Sequence, residues 1–373
     1  MSAVRVVLFY QSLISDWNHG NAHFLRGIVA EMRARGIAVD VYEPYEGWSV
    51  TNLLAEHGPA ALDRFRRAFP GLTSTRYRLD SLDLERVLDG ADLVLVHEWN
   101  DPELVRRIGA LRRQADFRLL FHDTHHRAVT DRRAMEAFDL RDYDGVLAFG
   151  TVIRDLYLAN GWAQRAWTWH EAADTRVFRP LPRRAREGDV VWIGNWGDDE
   201  RTAELRTFLI EPVRALGLRA RVYGVRYPDE ARRELADAGV EYAGWLPNAE
   251  VPAVYAAFGA TVHIPRRPYV EALPGIPTIR VFEALACGIP LICSPWEDTE
   301  GLFTPGADYL VARDGAEMQR LLRDVLEDEA LAAQLVLHGR RTILERHTCA
   351  HRVDELLRIH ASLTAVRAAE ATT

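Results

Sequence analysis

The chain is expected to fold as α/β, in two Rossmann-like, doubly wound domains facing across a cleft, and three observations predict this. Short apolar runs alternate with amphipathic helical stretches through both halves, as parallel sheets covered by helices require. The 373 residues suffice for two cores at the usual size of about 150 residues per domain. Near the middle, Leu181-Pro-Arg-Arg-Ala-Arg-Glu-Gly188 has the charged, turn-rich composition of a hinge. The expected division is therefore 1–183 and 184–350, followed by a closing helix over about 351–373.

In the first half, Val4 to Phe9 reads as a buried strand, and the stretch from Ala22 to Arg35 as a helix with Phe24, Leu25, Ile28, Val29 and Met32 on one face. Gly36 closes that helix, and Ile37 to Tyr42 forms the next strand. The connecting loop Ser15-Asp-Trp-Asn-His-Gly-Asn21 has no GxGxxG, which argues against a dinucleotide site, and Asn21 is placed to cap the helix. Because the loop leaves the carboxyl end of a strand, Asn18, His19, Gly20 and Asn21 are candidates for contact with acceptor or phosphate. A local loop hydrogen bond is the alternative role for His19. Residues 44–90 contain helical stretches to which no role is assigned.

Two further strands, Ala91 to Val96 and Phe117 to Phe121, run into His97-Glu-Trp-Asn100 and His122-Asp-Thr-His-His-Arg127. Successive strands thus deliver His97 and His122 at equivalent tips, with His125 and His126 just beyond. For each histidine the competing role is a pair with a nearby carboxylate, such as His122 with Asp123. Three of these histidines offer metal-ligand chemistry, but nothing else in the sequence supports a metal, and none is expected. Asp142-x-Asp144 precedes its strand, Gly145 to Phe149, and so belongs to the opposite end of the sheet.

The second half opens with a strand over Asp189 to Ile193, leading into Gly194-Asn195-Trp-Gly-Asp-Asp-Glu-Arg201. Strand and helix alternate through Arg219–Tyr223 and Val240–Tyr242 to Gly244-Trp245-Leu-Pro-Asn248 and a helix containing Tyr255. His263-Ile-Pro-Arg266-Arg267 follows, and then Pro274-Gly-Ile-Pro-Thr-Ile-Arg-Val-Phe-Glu-Ala-Leu-Ala-Cys-Gly-Ile-Pro290. Pro277 suits a first helical turn and Gly288-Ile-Pro290 ends the helix. The helix would aim unpaired amides at the preceding loop, with Arg280 and Glu283 one turn apart on the same face. That geometry suits an anionic ligand carrying hydroxyls; a surface ion pair is the plainer alternative.

Composition removes several function classes. The formal net charge of −8 lacks the basic footprint of nucleic-acid binding. Three cysteines without CxxC spacing suggest neither a disulfide framework nor zinc, and no run resembles a signal peptide or a membrane span, so a cytoplasmic protein is expected. All 46 basic residues are arginine. Lysine-dependent P-loop and Schiff-base chemistry is thereby excluded, and a phosphate must be held by arginine or by amides.

The segment from Pro274 to Pro290 resembles the donor-binding segment of GT-B glycosyltransferases of the group 1 superfamily. Thr278-Ile-Arg280-Val-Phe-Glu283, with His347-Thr-Cys-Ala-His351-Arg352, is most similar to the CgeB-like, spore-maturation branch. Thr168 to Pro180 resembles the passage by which such chains leave the first domain. The resemblance implies a GT-B fold whose last helix returns to the first domain. It implies that helix-start amides at Thr278 and Ile279 hold a nucleotide diphosphate, that Glu283 grips the ribose beside Arg280, and that Trp245 lies near the base. Gly194, Asn195, Arg201, Arg266 and Arg267 would stand where relatives hold the diphosphate, although the plainer fate of Arg201 is a pair with Asp198 or Glu204.

His122 matches the position at which related enzymes present histidine to the donor sugar, with His97 and Glu271 as further catalytic candidates. Asn18, His19, Gly20, Asn21, His125 and His126 would face the acceptor. Many relatives carry another glutamate eight positions before the ribose-binding one; here that position is Gly275, so the role passes to Glu271 or to backbone. The implied activity is metal- and cofactor-independent transfer, with retention, from a UDP- or GDP-sugar to a small-molecule, glycan or protein acceptor. A nucleotide-sugar epimerase and a catalytically idle nucleotide-sugar binder are the alternatives.

Overall fold

The computed structural model describes residues 4–182 and 185–370. The chain divides into two compact units, one of 1–171 with 349–373 and one of 172–348. The division expected at 183/184 falls on two residues outside those described.

The first unit is built on a wholly parallel sheet of β1 (Arg5–Phe9), β2 (Ala38–Pro44), β3 (Thr75–Tyr77), β4 (Leu93–His97), β5 (Arg118–Asp123), β6 (Gly145–Ala148) and β7 (Ala166–Thr168). Their order is β3-β2-β1-β4-β5-β6-β7, so the chain reverses its direction of travel between β1 and β4. The inner strands β4 and β5 are buried along their whole length. This explains why they read as unbroken apolar runs rather than alternating ones. The helix Asn21–Ala34 buries Phe24, Leu25, Ile28, Val29 and Met32 and packs against the closing helix Cys349–Glu370. Its cap differs from expectation. The helix begins at Asn21 itself, with Gly20 in the cap position, and the Asn21 side chain instead donates to Glu171 Oε1 at 3.3 Å.

Two buried charges fix the loops at the carboxyl edge of this sheet. Glu43, wholly buried at the end of β2, accepts from the Leu13 amide at 2.6 Å and from Ser74 Oγ at 2.8 Å. Arg26 donates to Asp16 at 2.8 Å and to the Leu13 carbonyl at 2.9 Å, with its guanidinium 4.8 Å from the ring centres of both Phe65 and Phe69. Residues 44–90 therefore include the apolar cover over Arg26, and they contribute the edge strand β3. Asp144 lies at the amino end of β6, where it accepts from the Leu119 amide and from Arg112.

The second unit holds β8 (Gly188–Ile193), β9 (Ala220–Tyr223), β10 (Val240–Tyr242), β11 (Phe258–His263), β12 (Leu291–Cys293) and β13 (Leu310–Val311), parallel in the order β10-β9-β8-β11-β12-β13. Its reversal falls between β8 and β11. Val190, Val222, Ala260, Val262, Ile292 and Leu322 form the centre of its core. Cys287, Cys293 and Cys349 are buried free thiols, the first two in this unit and the third in the other. Among the described residues no helix is long and apolar enough to cross a membrane.

Candidate functional site

In open parallel sheets a ligand is held outside the carboxyl ends of the strands, at the point where strand order reverses. In the second unit this point lies beyond Ile193 and His263. Arg201 is drawn there from the segment after β8. It donates to the Ile264 carbonyl at 3.0 Å and to the Asn195 carbonyl, with its guanidinium carbon 5.0 Å from the Trp192 ring centre. It pairs with neither Asp198 nor Glu204, and among the described residues no carboxylate lies in ion-pair contact with it. Its Nε is shut off from solvent and has no hydrogen-bond partner. Burial, reinforced by Arg266, lowers its pKa to about 10. A guanidinium so placed has the chemistry to receive an anion through charge-assisted hydrogen bonds.

The other two arginines expected at the diphosphate are already engaged. Arg266 pairs with Glu200 at 2.7 Å and Arg267 with Glu204 at 2.9 Å. Asn195 fastens the same loop through Oδ1, which accepts from the Val225 amide at 2.9 Å. Gly194 meets a steric demand, since a Cβ there would lie 2.7 Å from the Trp192 ring.

The helix Ile279–Cys287 begins two residues later than Pro277 suggested, with Thr278 in the cap position. The Thr278 hydroxyl does not cap it; it pairs with His263 Nε2 at 3.0 Å. His263 is buried at the end of β11, its Nδ1 has no partner, and burial together with Arg201 lowers its pKa to about 3. The ring is therefore neutral at pH 7. One turn into the helix, Glu283 is 0 % exposed; its Oε1 accepts from Asn248 at 3.1 Å and its Oε2 pairs with Arg280. This bond fastens the segment that carries half-buried Trp245 to the helix. The sequence assigns no role to Asn248 or His263. For His263 the available signal was its position at a strand tip, equivalent to those of His97 and His122.

Gly275 has φ +85°, and a Cβ there would lie 2.5 Å from Thr299 Oγ1 and 2.8 Å from Glu300 Cγ. A glutamate does not fit this backbone, and the side chain standing over the position is Glu300. Glu271 is exposed at the far end of the short helix Arg267–Glu271.

In the first unit, the reversal point lies beyond β1 and β4. Tyr10 Oη is 2.6 Å from His122 Nδ1, and its ring stacks on His97 at 4.7 Å. His97 Nε2 bonds Thr124 Oγ1 at 2.9 Å, and Trp169 stands edge-on to His122 at 4.8 Å. Both histidines, expected to meet substrate, are 0 % exposed on the inner side of this edge. Beside them Glu98 receives Arg127 at 2.8 Å and the Thr124 amide at 2.9 Å, while Asp123 receives Tyr157 Oη at 2.8 Å and the His125 amide at 3.0 Å. Burial raises the pKa of both carboxyls, in Asp123 reinforced by the neighbouring Glu98. This network sets the loop on which His125 is half-buried; His126 is buried with Nδ1 2.8 Å from Thr130 Oγ1. On the β1 loop, His19 is buried with Nε2 on the Ser12 carbonyl at 3.1 Å, the local bond that was its alternative role. Asn18 has φ +46°, and Gly20 is exposed. Among the described residues no cluster of three or more His, Cys, Asp or Glu side chains is arranged to hold a metal ion.

These buried rings make stability pH-dependent. Burial lowers the pKa of His122 to about 3 and, with Arg26 adding, that of His19 to about 4; His97 also lies well below 6.5. Below about pH 6.5 the unfolded chain binds protons at these positions that the native state refuses, so stability falls as pH falls. Glu98 and Asp123 act in the opposite sense, because their raised values let the native state take up protons first. With His263, also lowered to about 3, four histidines oppose two carboxyls. Urea denaturation should show stability falling from pH 7 to pH 5, by about 1.4 kcal/mol per pH unit for each unbalanced proton. A flat profile would mean that the carboxyls offset the rings or that the rings are protonated in the native state, and would overturn this balance.

Residues 201–358 match a family model described as glycosyl transferase-like. No curated protein matches the chain in sequence. Among solved structures, sucrose-phosphate synthase from Thermosynechococcus elongatus superposes with a TM-score of 0.67 at 15 % identity, over 97 % of this chain and 100 % of its own. Anabaena HepE in complex with UDP and glucose gives 0.66 at 15 % identity, over 96 % and 100 %. T4 phage BGT in complex with its UDP-glucose substrate gives 0.57 at 11 % identity, over 97 % and 98 %. The chain has the GT-B fold. In GT-B terms, Arg201, His263, Thr278 and the start of the 279–287 helix lie at the reversal point of the second Rossmann-like unit. Tyr10, His97 and the β5 loop lie at that of the first.

Proposed function

We propose that this chain is a glycosyltransferase that moves a sugar from a nucleotide diphosphate sugar, held mainly by the second unit, to an acceptor received by the first. The observation that carries this reading is Arg201, a half-buried guanidinium at a strand-order reversal with no carboxylate among the described residues in ion-pair contact, beside the start of the 279–287 helix. The diphosphate supplies the missing counter-charge. Arg201 and the amides of Ile279 and Arg280 stabilise it as it leaves, so transfer requires no metal. A UDP-sugar is the first donor to test, because HepE and BGT are described with UDP or UDP-glucose. The wording Thr278-Ile-Arg280-Val-Phe-Glu283 supports a place in the CgeB-like branch.

In this reading Glu283 takes the ribose hydroxyls by exchanging its bond to Arg280, and Glu300 stands where Gly275 leaves no side chain. His122 and His97 pack behind the β5 loop as part of the scaffold, and half-buried His125 is the imidazole open to substrate. The test is calorimetric titration with UDP together with donor turnover measured in EDTA. Glu283→Gln should weaken UDP by roughly tenfold to a hundredfold, about 1.5–3 kcal/mol. Unchanged affinity with the fold intact would leave Glu283 as a structural anchor for Asn248 and Arg280. Loss of turnover in EDTA, restored by Mn²⁺, would overturn the metal-free mechanism, and an epimerised donor without transfer would overturn the transferase reading.

A further inference from the structure

The first unit gathers its exposed aromatic rings along one edge. Tyr45, Trp48 and Trp99 are 45 %, 45 % and 40 % exposed, and among the described residues they are the aromatic members of the exposed large apolar set. Each follows the carboxyl end of a strand, Tyr45 and Trp48 after β2 and Trp99 after β4. Only β1 separates those strands, so their tips stand two strand spacings apart, about 10 Å.

The rings are held in place. Trp48 stands edge-on to Trp17 at 4.9 Å, and buried Trp17 is itself fixed by a 2.8 Å bond from its Nε1 to Glu56. The guanidinium carbons of Arg76 and Arg78 lie 4.2 and 4.6 Å from the Tyr45 ring centre. That of Arg127 lies 4.1 Å from Trp99, while its other contacts anchor it on Glu98. Guanidinium groups therefore lie against two of the three rings, Tyr45 and Trp99.

We propose that this rim is the acceptor subsite and that the acceptor is a saccharide of two or more residues; the proposal rests on the transferase reading above. A pyranose ring has a face of C–H groups and a periphery of hydroxyls. The C–H face covers an indole, and the hydroxyls accept from the neighbouring guanidinium groups. A lipid acceptor would need a contiguous apolar patch, which rings separated by charged side chains do not provide. A protein partner would be met by aromatic anchors at a desolvated centre, whereas these lie on an edge that also carries Glu46, Arg76 and Arg78. Rings carried beyond two strand tips that stand about 10 Å apart favour an extended chain over a single small hydroxylated molecule. The stretch 45–48, to which the sequence assigned no role, becomes part of the specificity-determining surface.

The experiment applies the full chain to an array of linear oligosaccharides of two to six residues, then titrates the strongest hit by calorimetry into the wild type, Trp48→Ala, Trp99→Ala and the corresponding phenylalanine variants, with UDP titrated into each. The expected result is saccharide binding weakened about tenfold by either alanine, largely restored by phenylalanine, with UDP affinity unchanged throughout. No retained saccharide, or equal affinity in the alanine variants, would overturn the proposal, as would a self-association that the wild type shows and Trp48→Ala loses. UDP binding without saccharide binding would remove this subsite alone. Saccharide binding without UDP binding would remove the transferase reading and leave the rim as a lectin-like site.

Discussion

Replacing Arg201 with methionine is expected to lower UDP affinity by roughly tenfold to a hundredfold, about 1.5–3 kcal/mol, while leaving the ligand-free protein as stable as the wild type or more so. The two effects have one cause. Without nucleotide the guanidinium is held by carbonyl oxygens and the face of Trp192, with no carboxylate among the described residues in ion-pair contact to offset its burial. A charge kept in this way weakens the native state until an anion arrives, and methionine fills similar space and keeps contact with the indole without that penalty. Calorimetry with UDP and thermal denaturation without it separate the two effects. A melting temperature lowered by several degrees with UDP affinity intact would make Arg201 a tie between the Asn195 and Ile264 segments.

His122→Ala is expected to cost about 2–4 kcal/mol of stability, because it empties a ring-sized space between Tyr10, His97 and Trp169 and leaves a buried phenol without its partner. UDP affinity should be unchanged, since the residues proposed to hold the nucleotide belong to the other unit. Turnover per folded molecule, measured well below the variant's melting temperature, should stay within a few-fold of the wild type. A loss of tenfold or more per folded molecule would return His122 to direct contact with the sugar.

Much of the fold was legible because parallel strands buried on both faces leave a strong sequence trace. Val4 to Phe9, Ala91 to Val96, Phe117 to Phe121 and Asp189 to Ile193 each read as a strand and each forms one. The edge strands β3 and β7 did not. At three residues apiece they are too short to show a period, and their pairing is set by the neighbouring strand. The site was legible in position more than in role. Strand tips marked His97 and His122, and resemblance marked Arg201, but whether a side chain turns inward depends on partners far away in sequence. His122 finds Tyr10, and Arg201 finds the Ile264 carbonyl rather than Asp198 or Glu204. Asp123 and Glu98 were hidden for the same reason, since their proximity arises only when β4 and β5 pair.

The placement of the three thiols gives the molecule a built-in reporter of how it opens. Cys287 and Cys293 are enclosed in the second unit and Cys349 in the first, so an alkylating reagent reaches each only after its surroundings loosen. Labelling rates read by peptide mass would then measure separate opening free energies for the two units in a single sample, without an added probe. Saturation with UDP should slow modification of Cys287 and Cys293 by the factor that ligand binding adds to the stability of their unit, and should leave the rate at Cys349 set by the other.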